Sequence, residues 1–281
     1  MTEPTRDVAG RDSRASETDS FETSPEYWDS VGAAWHARPQ RAWRVVSDRV
    51  NVRLIDRWFG TRVDGKVLKT DLFDEVVGGG LADRLAASFD QVVGIDISPA
   101  VVEVVRQRHP HLQAEVADVR ELPFADGSFS AVVSNSTLDH FDRTDDIERA
   151  LGELHRVLAP GGRLLVTFDN PGNPIVGLRN TLPRKVLAAS RMVPYAVGAT
   201  LDRSGLDRTL DRLGFDIVAL SACWHSPRFL VVLGGHGIDR LGWPWLRRAY
   251  TRAWSWFEVL ERLPTRFLTG HFVVALAEKR P

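Results

Sequence analysis

The feature that most constrains this chain is an alternation of strand-like and helix-like segments between residues 66 and 168. Short apolar runs rich in Val and Ile recur there, and segments with apolar residues at three- and four-residue intervals separate them. Parallel strands require such a pattern, because the chain must cross back along a helix before it begins the next strand. The sequence therefore predicts an α/β fold, with a parallel sheet covered by helices.

The same patterns give bounds for each element. Ser98 followed by Pro99 is a typical helix start, and Gly161-Gly162 is a typical turn before a strand. We predict strands at Lys66–Phe73, Gln91–Ile97, Leu112–Ala117, Phe129–Asn135, Arg163–Phe168, Phe215–Ala222 and His271–Ala277. We predict helices at Leu81–Ser88, Pro99–Arg108, Ile147–Leu158 and Asp202–Leu213.

Composition divides the chain into a tail and one folded domain. Residues 1–24 are rich in Thr, Ser, Asp, Glu and Arg, so they cannot bury enough apolar surface to offset the entropy lost on ordering. We predict a disordered tail there and a single domain over residues 25–281. Within the domain we expect N-terminal helices at 25–60, a ligand-binding core at 61–170, a cap at 171–200, and a C-terminal part at 201–281 that includes a Trp-rich insertion at 226–269.

Charge and cysteine content exclude several classes of protein. A formal net charge of -1 over 281 residues gives no general attraction to nucleic acid. Cys223 is the only cysteine, so an intrachain disulfide and a cysteine zinc cluster are excluded, and the histidines lack the close spacing of a metal site. No apolar stretch approaches the roughly 18 residues that a membrane helix needs. The N-terminus lacks the basic segment followed by an apolar segment that is typical of a signal peptide. We therefore expect a cytoplasmic protein without a metal.

Acidic side chains follow the second and third predicted strands. In an open parallel sheet, ligands bind at the carboxyl ends of the strands, near the point where strand order reverses. Asp96 ends the second strand, where a carboxylate can accept hydrogen bonds from both hydroxyls of a ribose; Ser98 already fills the alternative role of helix cap. Asp118 follows the third strand, and we expect it to accept from the exocyclic amine of an adenine lying between Ile97 and Val119. The alternative for Asp118 is a structural turn.

The fourth strand ends in a polar cluster. Asn135 closes the strand, and Ser136, Thr137, Asp139 and His140 follow within a few residues. We expect this cluster to lie beside the reacting group of a ligand. His140 has the intrinsic pKa of a general base; the alternative is that it only shapes the pocket.

Together these residues resemble the class I S-adenosylmethionine-dependent methyltransferases, in particular the small-molecule branch that includes quinone C-methyltransferases. Three segments carry the resemblance: Val93–Ser98, Ala117–Phe129 and Glu153–Gly162. Each is weak alone, but in this order and at this spacing they are specific. The resemblance implies a Rossmann-like sheet of seven strands, mostly parallel with the last antiparallel, with helices on both faces and helical cap insertions. It also implies S-adenosylmethionine as cofactor and methyl transfer to a small-molecule acceptor.

The chain departs from this family in the loop after the first strand. The family has an acid and a glycine-rich loop there, whereas Lys69 stands in the place of the acid and glycines come only at 78–80. A cation is unfavourable beside the cofactor's sulfonium and ammonium groups unless it turns away. We expect Thr70, Asp71 and Glu75 to contact the cofactor, the two acids replacing the missing negative charge. The alternative is that the site has decayed.

The Trp-rich insertion is open to three interpretations. Leu246, Tyr250 and Phe257 recur at helical intervals, which favours ordinary packing against the domain. Trp254 and its neighbours also suit a lid over a large apolar or lipid-linked acceptor, in which pieces of Tyr27–Trp58 and Pro171–Thr200 would join the insertion over the strand ends. The third interpretation is a peripheral membrane contact, because aromatic and basic residues suit the interface. Between the last two we expect the lid.

Two other functions stay open. Asp96 would serve a dinucleotide equally well, but a nucleotide-dependent oxidoreductase needs a Gly-x-Gly-x-x-Gly loop directly after the first strand, and that loop is absent. A non-catalytic binding or scaffold protein is supported only by the altered first loop.

Overall fold

The computed structural model describes residues 24–37, 41–60, 62–182 and 198–281. The predicted tail lies outside the described residues except for Ser24, and so do residues 183–197 of the predicted cap. Within the described ranges, no helix is both long and apolar enough to cross a membrane.

Seven strands form one sheet at the centre of the molecule. The strands are β1 Lys66–Lys69, β2 Gln91–Asp96, β3 Gln113–Val116, β4 Phe129–Asn135, β5 Leu158–Asp169, β6 Phe215–Cys223 and β7 Phe272–Lys279. Their order is β3-β2-β1-β4-β5-β7-β6. β1 to β5 pair in parallel, and β7 lies between β5 and β6 and is antiparallel to both. This topology confirms the predicted Rossmann-like sheet with its last strand antiparallel.

Helices precede the sheet, connect its strands and form the insertion. They are α1 Pro25–Ala37, α2 Arg41–Trp58, α3 Phe73–Val77, α4 Ala82–Ser88, α5 Pro99–Arg108, α6 Thr144–Val157, α7 Pro174–Thr181, α8 Arg203–Arg212, α9 Arg228–Leu241, α10 Pro244–Ser255 and α11 Arg266–Thr269. Short 3-10 helices cover Leu138–His140 and Trp256–Arg262. The bounds of β4 and α5 are those predicted from the sequence.

Alternate residues of the central strands enter two separate cores. Val67 of β1 packs in one core with side chains of α2, α4 and α5, whereas its neighbour Leu68 packs in the other with side chains of α6 and α8. Successive strand residues point to opposite faces, and the connecting helices of a parallel sheet cover both. The predicted helices on both faces are confirmed.

The first strand is shorter than predicted. It ends at Lys69 rather than Phe73, and the chain forms α3 from Phe73 onward. The reason lies in the tertiary structure: the backbone N–H of Leu72 donates to the Asp96 carboxylate at 3.0 Å, which draws the chain across the end of β2.

The fifth strand begins earlier than predicted, at Leu158 rather than Arg163. Leu158 already pairs with Phe129, and the glycine turn is a bulge within the strand, before Arg163 pairs with Ala131.

Lys69 is wholly buried and organises the loop after β1. Its ammonium lies 3.0 Å from Glu75 Oε2 and 3.3 Å from Asp71 Oδ1, and it donates to the Asp71 carbonyl at 2.5 Å. Burial alone would lower the pKa of Lys69, but the attraction of Asp71 and Glu75 outweighs it and raises the pKa. Lys69 is therefore a buried, neutralised cation.

The glycines after α3 close this arrangement. Glu75 Oε1 accepts hydrogen bonds from the backbone N–H groups of Leu81 at 2.8 Å and Ala82 at 3.2 Å, where α4 begins. Gly80 has a φ of +61°, and a Cβ there would lie 2.5 Å from Glu75 Oε1, so glycine is required for both reasons. The glycine run wraps a buried carboxylate.

The insertion packs along α2 through α9 and α10. Asp239 of α9 accepts a hydrogen bond from the backbone N–H of Ala42 at 3.1 Å. Most of the predicted stripe on α10 and the following 3-10 helix is half-buried, including Tyr250 and Phe257. Trp243 and Trp245 are more than half exposed and stack on each other at 5.9 Å. Packing against the domain therefore accounts for the stripe.

The buried ion pair gives a stability prediction. We expect Glu75→Gln to lower the free energy of unfolding by about 3–5 kcal/mol, because it removes the carboxylate that neutralises a buried ammonium. Urea unfolding measures this change. The matched control is Glu121→Gln, which removes the exposed partner of Arg149 and should leave the unfolding midpoint almost unchanged. Equal midpoints for Glu75→Gln and the wild type would contradict the structural role of the pair.

Candidate functional site

A cavity of about 150 Å³ opens at the carboxyl ends of the strands. It spans the edge where strand order reverses between β1 and β4, which is the expected place for a ligand in an open α/β sheet. Its walls come from the ends of β1 to β6, the start of the antiparallel β7, and helices α1, α2, α3, α5 and α9.

Asp96 lies in the cavity wall at the end of β2. Its two carboxylate oxygens accept hydrogen bonds from the backbone N–H groups of Leu72 at 3.0 Å and Ser98 at 2.9 Å. Burial raises the pKa of Asp96, and these two hydrogen bonds oppose the shift. Each oxygen keeps a lone pair, so the fixed carboxylate can accept from two neighbouring hydroxyls. Ile97 follows it and also lines the cavity.

Asp118 and Val119 line the cavity beyond β3, as expected. Arg120 binds the Asp118 carboxylate through its backbone N–H at 2.8 Å and its guanidinium at 2.6 Å. Burial would raise the pKa of Asp118, but the hydrogen bonds from Arg120 outweigh it and lower the pKa. No pattern in the sequence indicated this partner, which fixes the carboxylate in its ionised form.

Asn135 is the buried polar group without a partner at the end of β4. Its side chain is 8% exposed, and neither its Oδ1 nor its Nδ2 has a hydrogen-bond partner among the described residues. A buried amide left unpaired costs about 1–3 kcal/mol, so such groups call for a ligand. Asn135 is among the residues that line the cavity.

Thr70 and Asp71 enter the cavity from the loop after β1. The hydroxyl of Thr70 donates to Ser134 Oγ at 2.9 Å and lies 3.0 Å from Thr137 Oγ1, which donates to Asp71 Oδ2 at 3.3 Å. Burial raises the pKa of Asp71 to about 7, against the lowering effect of Lys69. This carboxyl group therefore changes its charge near neutral pH.

Glu75 does not line the cavity, contrary to the expectation that it contacts the cofactor. It is wholly buried and held by Lys69 and the start of α4. Asp74 lines the cavity instead, paired with Arg44 of α2. The acids of the first loop thus divide between neutralising Lys69 and facing the cavity.

His140 lies in the cavity wall after β4, beside an aromatic side chain. Its ring meets that of Trp28 edge-on at 4.8 Å. The adjacent Asp139 is wholly buried, and burial followed by repulsion from Asp169 raises its pKa. His140 therefore lies at the boundary between the polar and the aromatic lining, and its role as a base stays a prediction.

Sequence reasoning missed the aromatic part of the cavity. Trp28 and Trp43 come from the N-terminal helices, and Trp224 and Phe272 come from the end of β6 and the start of β7. Arg228 of α9 lies over three of these rings. The rule that strand ends converge would have identified Trp224 and Phe272. The place of α1 and α2 in the cavity wall agrees with the expectation that pieces of Tyr27–Trp58 cover the strand ends.

The insertion does not form the expected aromatic lid. Among its described residues, Arg228 alone lines the cavity. Trp254 packs against Tyr250 at 6.0 Å and Phe257 at 5.5 Å, while Trp256 is 74% exposed. The aromatic wall comes from earlier and later parts of the chain.

A group of possible metal ligands lies outside the cavity. Asp83 Oδ1 is 3.2 Å from His111 Nε2 and 3.8 Å from His109 Nδ1, and the three ligand atoms lie within 4.8 Å of one another. They sit by the start of β3, at the other end of that strand from Asp118. Asp83 is distant from the two histidines in the sequence, and only the fold brings α4 and the loop after α5 together. The sequence therefore did not indicate this group.

Comparisons with known proteins match the core of the chain. A family model described as a methyltransferase domain matches residues 76–166. The demethylmenaquinone methyltransferase of Thermus thermophilus is 43% identical over 93 residues, which cover 31% of this chain and 41% of that protein. That of Chlorobaculum parvum is 27% identical over 184 residues, which cover 61% of this chain and 70% of that protein. The chain spans about half the length of most of the first curated relatives it matches.

Solved structures share the fold. The N-methyltransferase NodS from Bradyrhizobium japonicum, crystallised with S-adenosyl-L-homocysteine, has a TM-score of 0.52 at 11% identity and covers 95% of this chain and 94% of its own. The [4+2]-cyclase SpnF has a TM-score of 0.51 at 19% identity and covers 83% of this chain and 81% of its own. At these identities the likeness concerns the fold alone, so the reaction has to be argued from the site.

The unpaired amide gives a second stability prediction. We expect Asn135→Leu to raise the free energy of unfolding of the ligand-free protein by about 1–2 kcal/mol, because it removes two unsatisfied buried groups. The matched control is the buried Asn170, whose amide bonds the backbone of Phe267, Gly270 and Gly172 at 2.8–3.0 Å. Asn170→Leu should lower the same free energy. Destabilisation of similar size in both variants, measured by urea unfolding, would show that Asn135 is not an unpaired group.

Proposed function

We propose that this chain, a class I S-adenosylmethionine-dependent methyltransferase by family, transfers a methyl group to a small apolar acceptor in the cavity at the strand ends. One observation carries the proposal: a single cavity joins a row of acids suited to a cationic nucleoside with an aromatic wall suited to an apolar molecule. Two of the similar proteins are named demethylmenaquinone methyltransferase and malonyl-[acyl-carrier protein] O-methyltransferase, so methyl transfer to a quinone-type ring or to a carrier-bound acyl group occurs among the relatives.

The residues present fit this cofactor. Asn135 supplies an unpaired buried donor and acceptor, Asp96 a carboxylate fixed by two backbone N–H groups, and Asp71 a carboxyl group beside the first loop. Lys69, which stands where the family has an acid, points into Glu75 and away from the cavity lining. The cavity therefore presents acids, and not the ammonium, to a cationic ligand.

Each cofactor residue has a distinct task in this proposal. Asp96 accepts from the ribose hydroxyls, and Ile97 and Val119 hold the adenine between apolar surfaces. Asp118 accepts from the adenine amine with the lone pairs that Arg120 leaves, since a carboxylate has about four acceptor positions. Thr70 and Asn135 bind the methionine part.

The chain contributes to the reaction mainly by position and charge. When bound, the cofactor supplies an electrophilic methyl group on a sulfonium. Asp71 and Asp74 hold negative charge near the sulfonium, and the aromatic wall excludes water and aligns the acceptor, which is enough for an in-line displacement. His140 accepts the acceptor's proton where the acceptor atom carries one. Asp71 and Asp74 would attract a product with a neutral sulfur less strongly than the sulfonium, which would favour its release.

The other candidate functions have less support. A dinucleotide needs a glycine loop directly after β1 to admit its pyrophosphate, whereas this chain places Leu72 and α3 there. A scaffold without catalysis does not require the unpaired groups of Asn135 to stay buried at a cost in stability.

Binding calorimetry tests the cofactor assignment. We expect S-adenosylmethionine to bind and NAD to give no heat of binding. Asp96→Ala should weaken S-adenosylmethionine at least about tenfold, because it loses charge-assisted hydrogen bonds worth about 1.5–3 kcal/mol each. Asp90→Ala, on the surface before β2, is the control and should leave affinity unchanged. Unchanged affinity in folded Asp96→Ala would remove the ribose assignment, and NAD binding would favour an oxidoreductase.

A pH profile tests Asp71. Its pKa of about 7 means that the carboxyl group is mostly neutral at pH 6 and mostly ionised at pH 8. We expect the affinity for S-adenosylmethionine to rise over this interval by up to about tenfold, or 1.4 kcal/mol. S-adenosylhomocysteine lacks the sulfonium charge but shares every other titrating group, so the ratio of the two affinities isolates the effect.

In Asp71→Asn the ratio of the two affinities should no longer change with pH. Glu75 faces Lys69 and not the cavity, so its charge should have no direct influence on this ratio. A ratio that stays constant from pH 6 to pH 8 in the wild type would show that Asp71 does not act on the sulfonium.

A further inference from the structure

A second buried polar group without a partner lies in the aromatic wall of the cavity. Trp224 is 2% exposed, and its indole Nε1–H has no hydrogen-bond acceptor among the described residues. An indole N–H that is buried usually finds a partner, because leaving it unpaired is unfavourable. Trp224 is among the residues that line the cavity. This indole N–H is therefore a donor that a ligand oxygen in the cavity could pair with.

The backbone holds Trp224 in this position under strain. It has a φ of +58°, which is unfavourable for a bulky side chain. The buried carboxylate of Glu258 accepts from the backbone N–H groups of Trp224 at 3.1 Å and His225 at 2.8 Å. The Trp224 carbonyl accepts from the backbone N–H of His271 at 3.0 Å. Three hydrogen bonds thus fix a conformation that packing alone does not require.

A cation lies directly over the same wall. The guanidinium carbon of Arg228 is 5.7 Å from the ring centroids of Trp43 and Trp224 and 5.6 Å from that of Phe272. Its Nη1 lies 3.3 Å from His271 Nε2. Burial, followed by repulsion from Arg228, lowers the pKa of His271 to about 3, so the neutral ring accepts this hydrogen bond. The rings hold the guanidinium at the cavity and provide a flat apolar surface beside it.

The two halves of the cavity therefore differ in charge along the sheet edge. Asp118, Asp96 and Asp71 follow β3, β2 and β1, whereas Trp224 and Arg228 follow β6 at the far edge. A sulfonium is attracted to the acidic half, and an oxygen that carries negative charge is attracted to the other. Methyl transfer needs this pairing of an electrophilic cation with an electron-rich acceptor.

We propose that Trp224 and Arg228 form an oxyanion subsite, which binds a flat aromatic acceptor by its hydroxyl oxygen as the phenolate. The role of the subsite in methyl transfer rests on the proposed function. Its ability to bind a phenolate rests on the contacts of Trp224 and Arg228. On binding, the acceptor's hydroxyl proton passes to solvent and the oxygen keeps the electron pair. The indole N–H and the guanidinium stabilise that charge, while the rings of Trp43 and Phe272 contact the aromatic face of the acceptor.

Other charged groups surround the subsite and enter its pH dependence. Arg44 faces it from α2, Glu258 from the 3-10 helix, His271 from the start of β7, and Asp169 with Arg179 from the end of β5 and from α7. Arg179 and His271 lie by Asp169, and Glu258 is bound to backbone N–H groups. Among these charged groups, we assign the contact with the acceptor's oxygen to the guanidinium of Arg228.

A coloured phenol tests the subsite without methyl transfer. The probe is 4-nitrophenol, whose phenolate absorbs visible light, and nitrobenzene is the matched ring without an ionisable oxygen. We expect the wild-type protein to bind the phenolate about tenfold more tightly than the phenol, so that the pKa of the bound dye falls by about one unit. Spectrophotometric titration over pH measures this shift, with and without S-adenosylhomocysteine.

Substitutions separate the two donors. Arg228→Gln should remove most of the pKa shift of the bound dye, and Arg228→Lys should keep more of it. Trp224→Phe retains an aromatic ring but loses the N–H, and it should weaken phenolate binding about five- to tenfold with little effect on nitrobenzene. The matched controls are Arg248→Gln and Trp254→Phe, an exposed Arg and a Trp outside the cavity, which should behave as the wild type.

The outcomes distinguish this inference from the proposed function. A wild type that does not bind the dye at millimolar concentration, a bound dye that titrates as in solution, or a shift that survives Arg228→Gln would overturn the subsite. Equal losses of affinity for 4-nitrophenol and nitrobenzene in Trp224→Phe would show that Trp224 contributes only ring packing. That result would also overturn the subsite. Failure to bind S-adenosylmethionine with an intact phenolate shift would refute methyl transfer and leave the subsite standing.

Discussion

The buried contact between Lys69 and the carboxylates of Asp71 and Glu75 is the interaction on which the ligand-binding end of the sheet depends. An ammonium without a partner at this depth would cost several kcal/mol, so the chain must bring acids to it within the next few residues. The chain brings these acids to the ammonium because β1 ends at Lys69 and α3 forms directly afterwards. It also places Leu72 where its backbone N–H orients the Asp96 carboxylate. The unusual loop is thus a closed, charge-balanced structure.

That balance also decides which acid is available to a ligand. Glu75 is paired with Lys69 and hydrogen-bonded to backbone N–H groups at the start of α4, so its charge does not face the cavity. Asp71 contacts Lys69 and the cavity at once, and burial keeps its pKa near neutrality. A loop that has exchanged the family's acid for a lysine can therefore still present negative charge to a cation.

The cavity wall keeps polar groups unpaired at two places. Asn135 lies at the centre of the sheet edge and Trp224 at the far side, and each has buried hydrogen-bonding atoms without a protein partner among the described residues. Packing considerations favour apolar residues at such positions. Sites that bind ligands accept this loss of stability, because the ligand restores the hydrogen bonds. The aromatic wall and Arg228 surround the second group, and the insertion supports them by packing α9 along α2.

The sequence by itself determined the sheet and the residues that follow its strands. Periodicity gave β4 and α5 their bounds, and Asp96, Asp118 and Asn135 were identifiable because the ends of parallel strands meet at one edge whatever the connecting loops do. Only the tertiary structure decided which partners Lys69 and Asp118 have. It also decided that Trp28 and Trp43 meet Trp224 and Phe272 around Arg228, while the Trp residues of the insertion stay outside. Local patterns record which face of an element is apolar, but contacts between distant segments depend on the paths of loops and on how buried charges are neutralised.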